Sequence, residues 1–439
     1  MSLAGSKSFV YGFAELGPAS LDIFLKVYLL VYFNSVVGLP ASVASLAIGL
    51  SVFWDAILDP FIGIWSDHYY AKHKNRKLIV YLAIVFMSSL FFMLWKFHFE
   101  SKWLNFTSLF VISALLNSSI SLFSVPYFSL ANDLEPSNEQ RKAWIGWRHV
   151  FFNLGSLFGL AIPAVFLAYD ESFKKVQGYH RSVLVLTLVT LVTATFSIYW
   201  VYRATQNKKT ESYANKVSVS GLGSHRSVPF KQVIQDSYFM QILASFFIVN
   251  SGLGLNASLA MYYYKQYLGF SEKQTQSILL GFLFVLMLSV PIWIYLTRFF
   301  EKRTLLKFGG FSIGVLIIGF FPYLKGFDFW FIFFLASVIG GFLLGVAVIL
   351  DIELADFLKD KEHVLQKSVS AQYLGIWKMS AKSSRAVAIG LAGPILDISA
   401  SNTQLLARFF GWGVGIFFIL SALVLTISVG KKDERKNRQ

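Results

Sequence analysis

Long apolar stretches alternate with short polar segments along the whole chain. A helix needs about 20 mostly apolar residues to cross a bilayer, and twelve stretches reach that length. We therefore predict an all-α integral membrane protein with twelve transmembrane helices, called spans 1 to 12. Their predicted bounds are 8–33, 42–66, 78–97, 103–131, 143–168, 182–203, 235–265, 272–298, 306–324, 329–357, 369–397 and 404–429.

The longest polar stretch separates span 6 from span 7 and is basic, with serine and glycine, as is typical of a linker. The prediction is an N-terminal six-helix bundle at 1–203, a central loop at 204–234, a C-terminal six-helix bundle at 235–430 and a basic tail at 431–439. Two six-helix halves of this kind predict the major facilitator fold, in which the substrate binds near the midplane between the halves.

The composition supports a membrane protein and excludes several other classes. Hydrophobic residues make up 55% of the chain and charged residues only 14%, against about 25% charged residues in an average soluble domain. This excludes a disordered chain, a disulfide scaffold and an ordinary cytosolic enzyme. Cysteine is absent and the seven histidines lack metal-ligand spacing. We expect no enzyme activity, no catalytic residues and no cofactor.

The net charge of +15 follows the membrane topology. Of the 39 Lys and Arg residues, 25 fall on the side of the termini and the central loop, and 8 fall on the opposite side. The positive-inside rule therefore places both termini and the central loop in the cytoplasm. Nucleic-acid binding is the weaker interpretation of the charge, and the composition fits a bacterial inner membrane.

Two carboxylates lie one helical turn apart in span 2. Asp55 and Asp59 share a helix face, and two such acids repel unless a cation lies between them. Their oxygens suit a hard cation such as Na⁺, so the pair is a candidate site for Na⁺ or H⁺, and Asp55 and Asp59 are the candidate metal ligands. A structural pairing with a lysine elsewhere is the alternative.

Span 11 carries the matching positive charges. Lys378 and Lys382 also lie one turn apart, and one of them is expected to neutralise the acidic pair when no cation is bound. The alternative is a lysine whose long side chain reaches the membrane interface.

Further polar residues inside spans are candidate substrate contacts, because a charge within the bilayer is costly. Asp22 and Lys26 are spaced for an intrahelical salt bridge, which is either structural or part of the substrate site. Arg148 offers a fork of donors for a carboxylate, a phosphate or sugar hydroxyls, or pairs with an acid of span 1 or 4. Trp147 beside it offers a stacking face.

A glycine-rich stretch of span 7 begins at Asn250. A loosened helix there exposes backbone groups to a ligand, whereas close helix packing through the glycines is the alternative.

Acidic residues near the predicted cytoplasmic ends are candidate gate residues, because they lie where pairing with basic loops is possible. They are Asp67 after span 2 and Asp351, Glu353 and Asp356 at the end of span 10, with Arg141 as a basic gate residue before span 5.

The chain resembles the glycoside–pentoside–hexuronide:cation symporters, typified by the bacterial melibiose permease. The resemblance rests on short motifs spread along nearly the whole chain: Tyr11-Gly12-Phe13 with Gly17, Trp54-Asp55-Ala56 with Asp59-Pro60 and Gly63, Val125-Pro126-Tyr127 with Leu130, Arg141 with Arg148 and Asn153-Leu154-Gly155, and Lys382 fifteen residues before Asp397. It implies coupling to Na⁺ or H⁺, with Li⁺ as a further option, through Asp55 and Asp59, with Lys382 as the matching lysine and Arg148 at the substrate cavity.

Two positions depart from that family pattern. Melibiose-type members hold sugar hydroxyls with acids in spans 1 and 4, whereas the matching residues here are Ala19, preceded by Pro18, and Ser124. Loss of hydroxyl acceptors weakens sugar binding strongly, and Asp22 is a substitute about one turn along.

We therefore expect a cation-coupled symporter of a sugar, a glycoside or a similar small solute. The alternative substrate is a lysophospholipid or another amphiphile, since eukaryotic lysophospholipid symporters belong to the same superfamily branch. A membrane-embedded enzyme is disfavoured because no nucleophile or metal motif is present, and a channel because the chain lacks a filter-like repeat. No ATP-binding motif is present, and one chain with both halves suffices as a monomer.

Overall fold

The computed structural model describes residues 3–73, 75–96, 98–134, 138–167, 172–206, 233–365 and 370–427. Within these ranges every regular element is a helix and no strand occurs. The α-helices are α1 (Leu3–Phe13), α2 (Leu16–Ser35), α3 (Ala41–His73), α4 (Lys77–Leu94), α5 (Lys102–Leu134), α6 (Asn138–Phe166), α7 (Ser172–Gln206), α8 (Ser237–Tyr262), α9 (Glu272–Leu296), α10 (Lys302–Phe320), α11 (Phe329–Leu365), α12 (Ser370–Ser399), α13 (Thr403–Arg408) and α14 (Val414–Val424). Most of the predicted central loop and the basic tail at 431–439 lie outside the described residues.

Eleven helices in the described part of the chain are long and apolar enough to cross a membrane. Helix α12 has the length of a span, with 30 residues, but carries Lys378, Lys382 and Arg385 near its middle and is outside this set. The twelve predicted spans each coincide with one of these eleven segments or with α12. An all-helical integral membrane protein is therefore confirmed.

The first predicted span is present as the segment Lys7–Ser35, and a two-residue turn divides it into two helices. Helix α1 ends at Phe13 and α2 begins at Leu16. Pro18 has no N–H to donate to the carbonyl of Ala14, and its ring crowds that carbonyl. The chain tightens there instead, and the N–H of Glu15 donates to the carbonyl of Gly12 at 2.9 Å. The break places Glu15 between two half-helices inside the span.

Two other spans contain π-helical segments. Span 7 ends in Tyr263–Tyr267, and span 12 is divided into α13 and α14 by Phe409–Gly413. The rings of Tyr263 and Phe410 stack with their centroids 4.3 Å apart. The wider π turns are therefore joined by an aromatic contact.

The chain forms two compact units. The first contains residues 3–206 together with Tyr264–Leu280 and Ile389–Asp397, and the second contains residues 233–263, Gly281–Ala388 and residues 398–427. In the first unit α3 packs on α5, and α1 and α2 pack on α6. In the second unit α14 packs on α8 and α10. The division into six-helix halves at 1–203 and 235–430 stays a prediction.

Helices α1 and α6 touch backbone to backbone. A Cβ atom at Gly12 would lie 2.5 Å from the carbonyl carbon of Trp147 and 2.8 Å from the backbone nitrogen of Arg148. Only glycine permits so close an approach. The contact fixes Arg148 beside span 1, two residues before the break begins.

Candidate functional site

The span 2 carboxylates lie in the first unit, on α3. Asp55 is 7% exposed, and its Oδ1 accepts a hydrogen bond of 2.8 Å from the hydroxyl of Ser121 on α5. Asp59 follows one turn later and is half-buried. Helix α3 packs along α5, which brings Ser121 to the level of the acids. Two carboxylates and a hydroxyl on adjacent helices form a cluster of hard oxygen donors.

The proline after Asp59 adds a further oxygen to this region. Pro60 lies inside α3 and has no N–H to donate to the carbonyl of Ala56. That carbonyl therefore lacks its usual intrahelical donor, one residue after Asp55. The sequence prediction named Asp55 and Asp59 but not Ser121, because serines are frequent along span 4 and none is distinguished by its spacing.

The candidate substrate residues of span 1 form an ion pair. Lys26 donates to the carboxylate of Asp22 within α2, and both side chains are about one third exposed. The predicted intrahelical salt bridge is therefore present. Both residues keep partial exposure, so they are accessible to a polar ligand as a pair.

Arg148 lies on α6 and stacks on an aromatic ring. Its guanidinium carbon is 4.0 Å from the centroid of the Phe128 ring, a cation–π contact that holds the side chain while leaving its N–H groups at the edge. Its charge also reaches Glu15, in the break between α1 and α2. Glu15 was not among the predicted site residues, although it is a carboxyl inside an apolar span, as Asp55 is.

Two tyrosines join α1 to α5 beside the break. The Tyr11 hydroxyl donates to the Tyr127 carbonyl at 3.1 Å, and the Tyr127 hydroxyl donates to the Tyr11 carbonyl at 2.7 Å. Their rings stack at 4.7 Å. These reciprocal bonds tie α1 to α5 immediately before the break, and they were not predicted because they depend on the register between two helices.

Three other candidate residues make contacts of a packing kind. The Trp147 ring packs edge-on against Phe9 at 5.0 Å. The Ser124 hydroxyl donates to the carbonyl of Ser121 within its own helix. The Asn250 amide donates to the carbonyl of Phe246 within α8.

The glycines after Asn250 pack closely against other helices. A Cβ atom at Gly252 would lie 3.0 Å from Phe417, and one at Gly254 would lie 2.8 Å from Ala388. Helix α8 is continuous through this stretch. The glycines therefore serve close helix packing, and the helix is not loosened at this stretch.

The span 11 lysines lie in the second unit, on α12. Lys378 is exposed and Lys382 is half-buried. Their neighbour Trp377 is buried, stacks on Phe246 at 3.9 Å, and donates from Nε1 to Asp351 at 2.7 Å. The predicted gate acid Asp351 therefore pairs with a tryptophan, where a basic loop residue was expected.

The other two predicted gate acids do meet basic residues in the second unit. Lys302 donates to Asp356, and Arg303 lies 4.0 Å from Glu353. The hydroxyl of Tyr238 also donates to Glu353, and the Arg303 guanidinium lies 4.6 Å from the centre of the Tyr238 ring. Helices α8, α10 and α11 are joined by this network at their predicted cytoplasmic ends.

A further ion pair near this network was missed. Lys361 donates to Asp236, which also caps α8 by accepting from the N–H of Phe239. The Tyr373 hydroxyl donates to the same carboxylate at 3.4 Å. The signal was an acid directly before the first apolar residues of a span, where an N-cap is expected.

Asp67 forms its ion pair within the first unit. Its carboxylate accepts from the guanidinium of Arg76 at 2.8 Å, and that guanidinium also donates to Ser66 and stacks on Tyr70. Arg76 is buried whereas Asp67 is exposed. Arg141, the remaining gate candidate, is half-buried near the start of α6.

Among the residues that the structure describes, no group of three or more His, Cys, Asp or Glu side chains is arranged to hold a metal ion.

Comparison with known proteins identifies the family. The family described as MFS/sugar transport protein matches residues 10–430, nearly the whole chain. The chain belongs to this family. Membership confirms the predicted major facilitator class and agrees with the resemblance to cation symporters. The family and the matched relatives are transporters, in line with the expectation of no enzyme activity.

Two bacterial relatives carry the name symporter. An uncharacterized symporter of Synechocystis sp. is 28% identical over 159 residues, which cover 35% of this chain and 29% of that protein. The uncharacterized symporter YjmB of Bacillus subtilis is 23% identical over 322 residues, which cover 71% of this chain and 66% of that protein. The matched regions thus span less than two thirds of each of these relatives.

Solved transporter structures share the fold. The nucleoside transporter NupG superposes with a TM-score of 0.67 at 10% identity, covering 97% of this chain and 98% of that chain. The tetrameric PepTSo2 superposes with a TM-score of 0.66 at 15% identity, covering 99% of each chain. At these identities the similarity establishes the fold alone.

Proposed function

We propose that this protein is a secondary active symporter that uses a Na⁺ or H⁺ gradient to drive uptake of a sugar or glycoside by alternating access. The observation that supports the proposal most directly is Asp55, a buried carboxylate hydrogen-bonded by Ser121 with Asp59 one turn away. Buried acids within a bilayer are costly and are kept where they bind ions or substrates. The symporter names of the two bacterial relatives point the same way.

In this proposal the cation binds between the span 2 acids. The carboxylates of Asp55 and Asp59 supply negative charge, and the Ser121 hydroxyl and the Ala56 carbonyl supply neutral oxygens. Binding removes the repulsion between the two acids. The Ser121 hydroxyl now donates to Asp55, and it can present a lone pair to the cation when the proton turns away.

Lys382 supplies the competing positive charge in this scheme. When the cation leaves, an ammonium group is the available means of neutralising the acids, which links the charge of span 11 to cation binding. Either the coupling cation or the Lys382 ammonium group then neutralises the acids, but not both at the same time. This exclusion makes the substrate-binding conformation depend on the external cation.

The substrate contacts are proposed in the first unit. The Asp22–Lys26 pair offers both an acceptor and donors for hydroxyls, and Arg148 offers donors held in place by Phe128. The family description as sugar transport supports a hydroxylated solute. Ser124, Trp147, Asn250 and Lys378 stay weaker candidates, since the first three make local packing contacts.

Gating is proposed at the predicted cytoplasmic ends. Asp67 with Arg76, Asp356 with Lys302 and Glu353 with Arg303 are ion pairs within each unit that hold helix ends together. In this proposal the pairs break and reform when the helix ends rearrange within each unit during alternating access. Asp351 and Arg141 are included as weaker gate candidates.

The topology and setting are also part of the proposal. Both termini and the central loop are cytoplasmic, the membrane is a bacterial inner membrane, and a monomer is the working unit. The partners are the solute, the coupling cation and the bilayer, with no nucleic acid and no cofactor.

The experiment is uptake of labelled solutes into proteoliposomes under imposed Na⁺ or H⁺ gradients. The panel holds glycosides and a lysophospholipid, and the variants are Asp59→Asn and the control Asp328→Asn, which removes a carboxylate that caps α11. We expect one cation to drive accumulation of a glycoside, Asp59→Asn to lose the cation dependence, and Asp328→Asn to keep it.

Two other outcomes have clear meanings. Transport that ignores both gradients and the Asp59 substitution shows that the aspartates are structural and overturns the coupling proposal. Movement of the lysophospholipid alone leaves coupling intact and replaces the sugar with an amphiphile.

A further inference from the structure

The break in the first span holds a buried carboxyl group, one oxygen of which has no hydrogen-bond donor in the described part of the chain. Glu15 is 7% exposed, and its Oε2 atom has no hydrogen-bond donor within the part of the chain that the structure describes. Glu15 precedes α2 directly, yet its side chain makes no capping bond to that helix. An ionised carboxylate in such a place is costly, because its Oε2 atom has lost water without gaining a donor.

Two phenol groups beside the break are not available to Glu15 as donors. The phenols of Tyr11 and Tyr127 lie beside the break, but each donates its proton to the backbone carbonyl of the other residue. Their rings are also fixed by stacking. Both phenols are therefore occupied with joining α1 to α5.

The nearest cation is held by another group. Gly12 brings the backbone of Arg148 against α1, so the charge of Arg148 reaches Glu15. The guanidinium, however, stacks on the Phe128 ring at 4.0 Å. Asp22 lies two turns along α2 and, as a carboxylate, offers Glu15 no hydrogen-bond donor.

Among the described residues, the titratable and polar groups around Glu15 lie on five helices, and most of them carry no charge. They are Tyr11 on α1, Asp22 on α2, Tyr127 on α5, Arg148 on α6 and, at the adjacent Gly17, the threonines Thr190 and Thr193 on α7. Arg148 is the single positive charge among them.

We propose that Glu15 is a proton-binding site of this transporter, separate from Asp55 and Asp59, and that it is protonated at neutral pH. The proton binds a carboxylate oxygen, which neutralises the group inside the span. Release of that proton leaves a carboxylate whose available counter-charge is Arg148, so the guanidinium moves from Phe128 to Glu15. Protonation of Glu15 therefore keeps Arg148 free for substrate.

The role of Arg148 in this scheme rests on the proposed symport function, whereas the protonation of Glu15 does not. The two parts are separable by experiment. The first is spectroscopic and needs no transport, and the second measures transport.

The spectroscopic test is infrared difference spectroscopy of the purified full-length protein during steps in pH. Protein labelled with ¹³C in the glutamate carboxyl groups distinguishes glutamates from the aspartates of span 2. We expect a glutamate-derived carbonyl band of a protonated acid at neutral pH, which Glu15→Gln lacks. Glu272→Gln is the matched control, because Glu272 is buried but ion-paired with Lys265 at 2.5 Å, and it should retain the band.

Absence of this band at neutral pH in the labelled wild type overturns the proposal, even if Glu15→Gln fails to fold. Loss of the band in Glu272→Gln with retention in Glu15→Gln overturns it as well.

The transport test compares glycoside uptake at mildly acidic and mildly alkaline pH under a fixed gradient of the coupling cation. In wild type, uptake should fall several-fold at alkaline pH as Glu15 loses its proton. Glu15→Gln mimics the neutral acid and should remove that fall while it keeps the dependence on the coupling cation.

A pH dependence retained in Glu15→Gln overturns the coupling of Glu15 to Arg148 and leaves the symport function standing. Absence of cation-driven uptake in the wild type instead defeats the proposed function, and the infrared result still decides the protonation of Glu15.

Discussion

Ser121 on α5 donates a hydrogen bond of 2.8 Å from its hydroxyl to Oδ1 of Asp55 on α3. The bond joins the two helices at the level where two carboxylates lie one turn apart. A hydrogen bond to a charged group in a buried position contributes about 1.5–3 kcal/mol. The hydroxyl therefore helps to hold the Asp55 carboxylate in place between the two helices.

Replacement of Ser121 by alanine should weaken cation binding. Loss of the hydroxyl removes one oxygen donor and one hydrogen bond, and we expect the cation concentration for half-maximal uptake to rise about tenfold, since 1.4 kcal/mol corresponds to a factor of ten. Ser121→Thr retains the hydroxyl and should restore most of the affinity. The measurement is initial uptake against cation concentration in proteoliposomes.

The control for this prediction is Ser118→Ala, one turn away on the same helix. The Ser118 hydroxyl donates only to the carbonyl of Ala114 within α5, so its loss should leave the cation dependence unchanged. Equal effects of Ser118→Ala and Ser121→Ala would mean that the bond to Asp55 has no part in cation binding.

Asp397 caps α3 from a distant part of the chain. Its two carboxylate oxygens accept hydrogen bonds from the backbone N–H groups of Ala41 at 3.1 Å and Ser42 at 3.0 Å. Loss of such a cap costs about 1 kcal/mol. Asp397→Ala should therefore speed hydrogen exchange of the amides at the start of α3, and Asp397→Asn should have a smaller effect because it keeps one acceptor.

Asp328→Ala is the matched control, because Asp328 accepts from the N–H of Trp330 at the start of its own helix α11. Its removal should change exchange at α11 and not at α3. Exchange at Ala41 and Ser42 that is unchanged in Asp397→Ala would contradict the prediction.

The ion pair of Asp67 with Arg76 should be asymmetric in its effect on stability. Arg76 is buried, donates to Ser66 as well as Asp67, and stacks on Tyr70. Arg76→Ala removes all of these contacts and should lower stability by about 2–3 kcal/mol. Asp67 is exposed, and an exposed ion pair contributes about 0–1 kcal/mol.

Thermal unfolding in detergent tests the order of the two variants. Arg76→Ala should lower the midpoint clearly more than Asp67→Asn does. A larger effect from Asp67→Asn would show that the pair, and not the burial of the arginine, stabilises this end of α3.

The helices could be predicted from sequence because an apolar run of span length permits little else in a bilayer. The interruption of span 1 could not, even though Pro18 is visible. Pro60, Pro126 and Pro163 also lie inside predicted spans, and α3, α5 and α6 remain continuous around them. Whether a proline divides a helix depends on the neighbouring helices that satisfy the freed carbonyl.

The candidate site shows the same limit. Asp55, Asp59 and Arg148 could be identified because an ionised group in an apolar span is costly wherever it points. The Ser121 hydroxyl and the cap at Asp397 depend on which residues of two helices come opposite each other. Asp397 and Ala41 are 356 positions apart in the chain, and no local pattern specifies that register.

A buried tryptophan gives a final prediction, on the packing of the second unit. The indole of Trp293 is 6% exposed and lies against two glycines, Gly309 of α10 and Gly345 of α11. A Cβ atom at Gly309 would lie 2.7 Å from the ring, and a Cβ atom at Gly345 would overlap the indole nitrogen. Overpacking of this kind costs about 1–3 kcal/mol, so Gly345→Ala should lower the thermal midpoint.

If the Trp293 indole causes the destabilisation by Gly345→Ala, removal of the indole should lessen that destabilisation. Trp293→Leu with Gly345→Ala should therefore be more stable than the sum of the single effects predicts, by about 1 kcal/mol. Gly390→Ala is the control, because a Cβ atom there meets no atom within 4 Å, and alanine is favoured over glycine inside a helix by about 0.5–1 kcal/mol. Its midpoint should stay equal or rise. Strictly additive effects of Trp293→Leu and Gly345→Ala would show that the clash is relieved by movement of the helix backbone, and not by the indole.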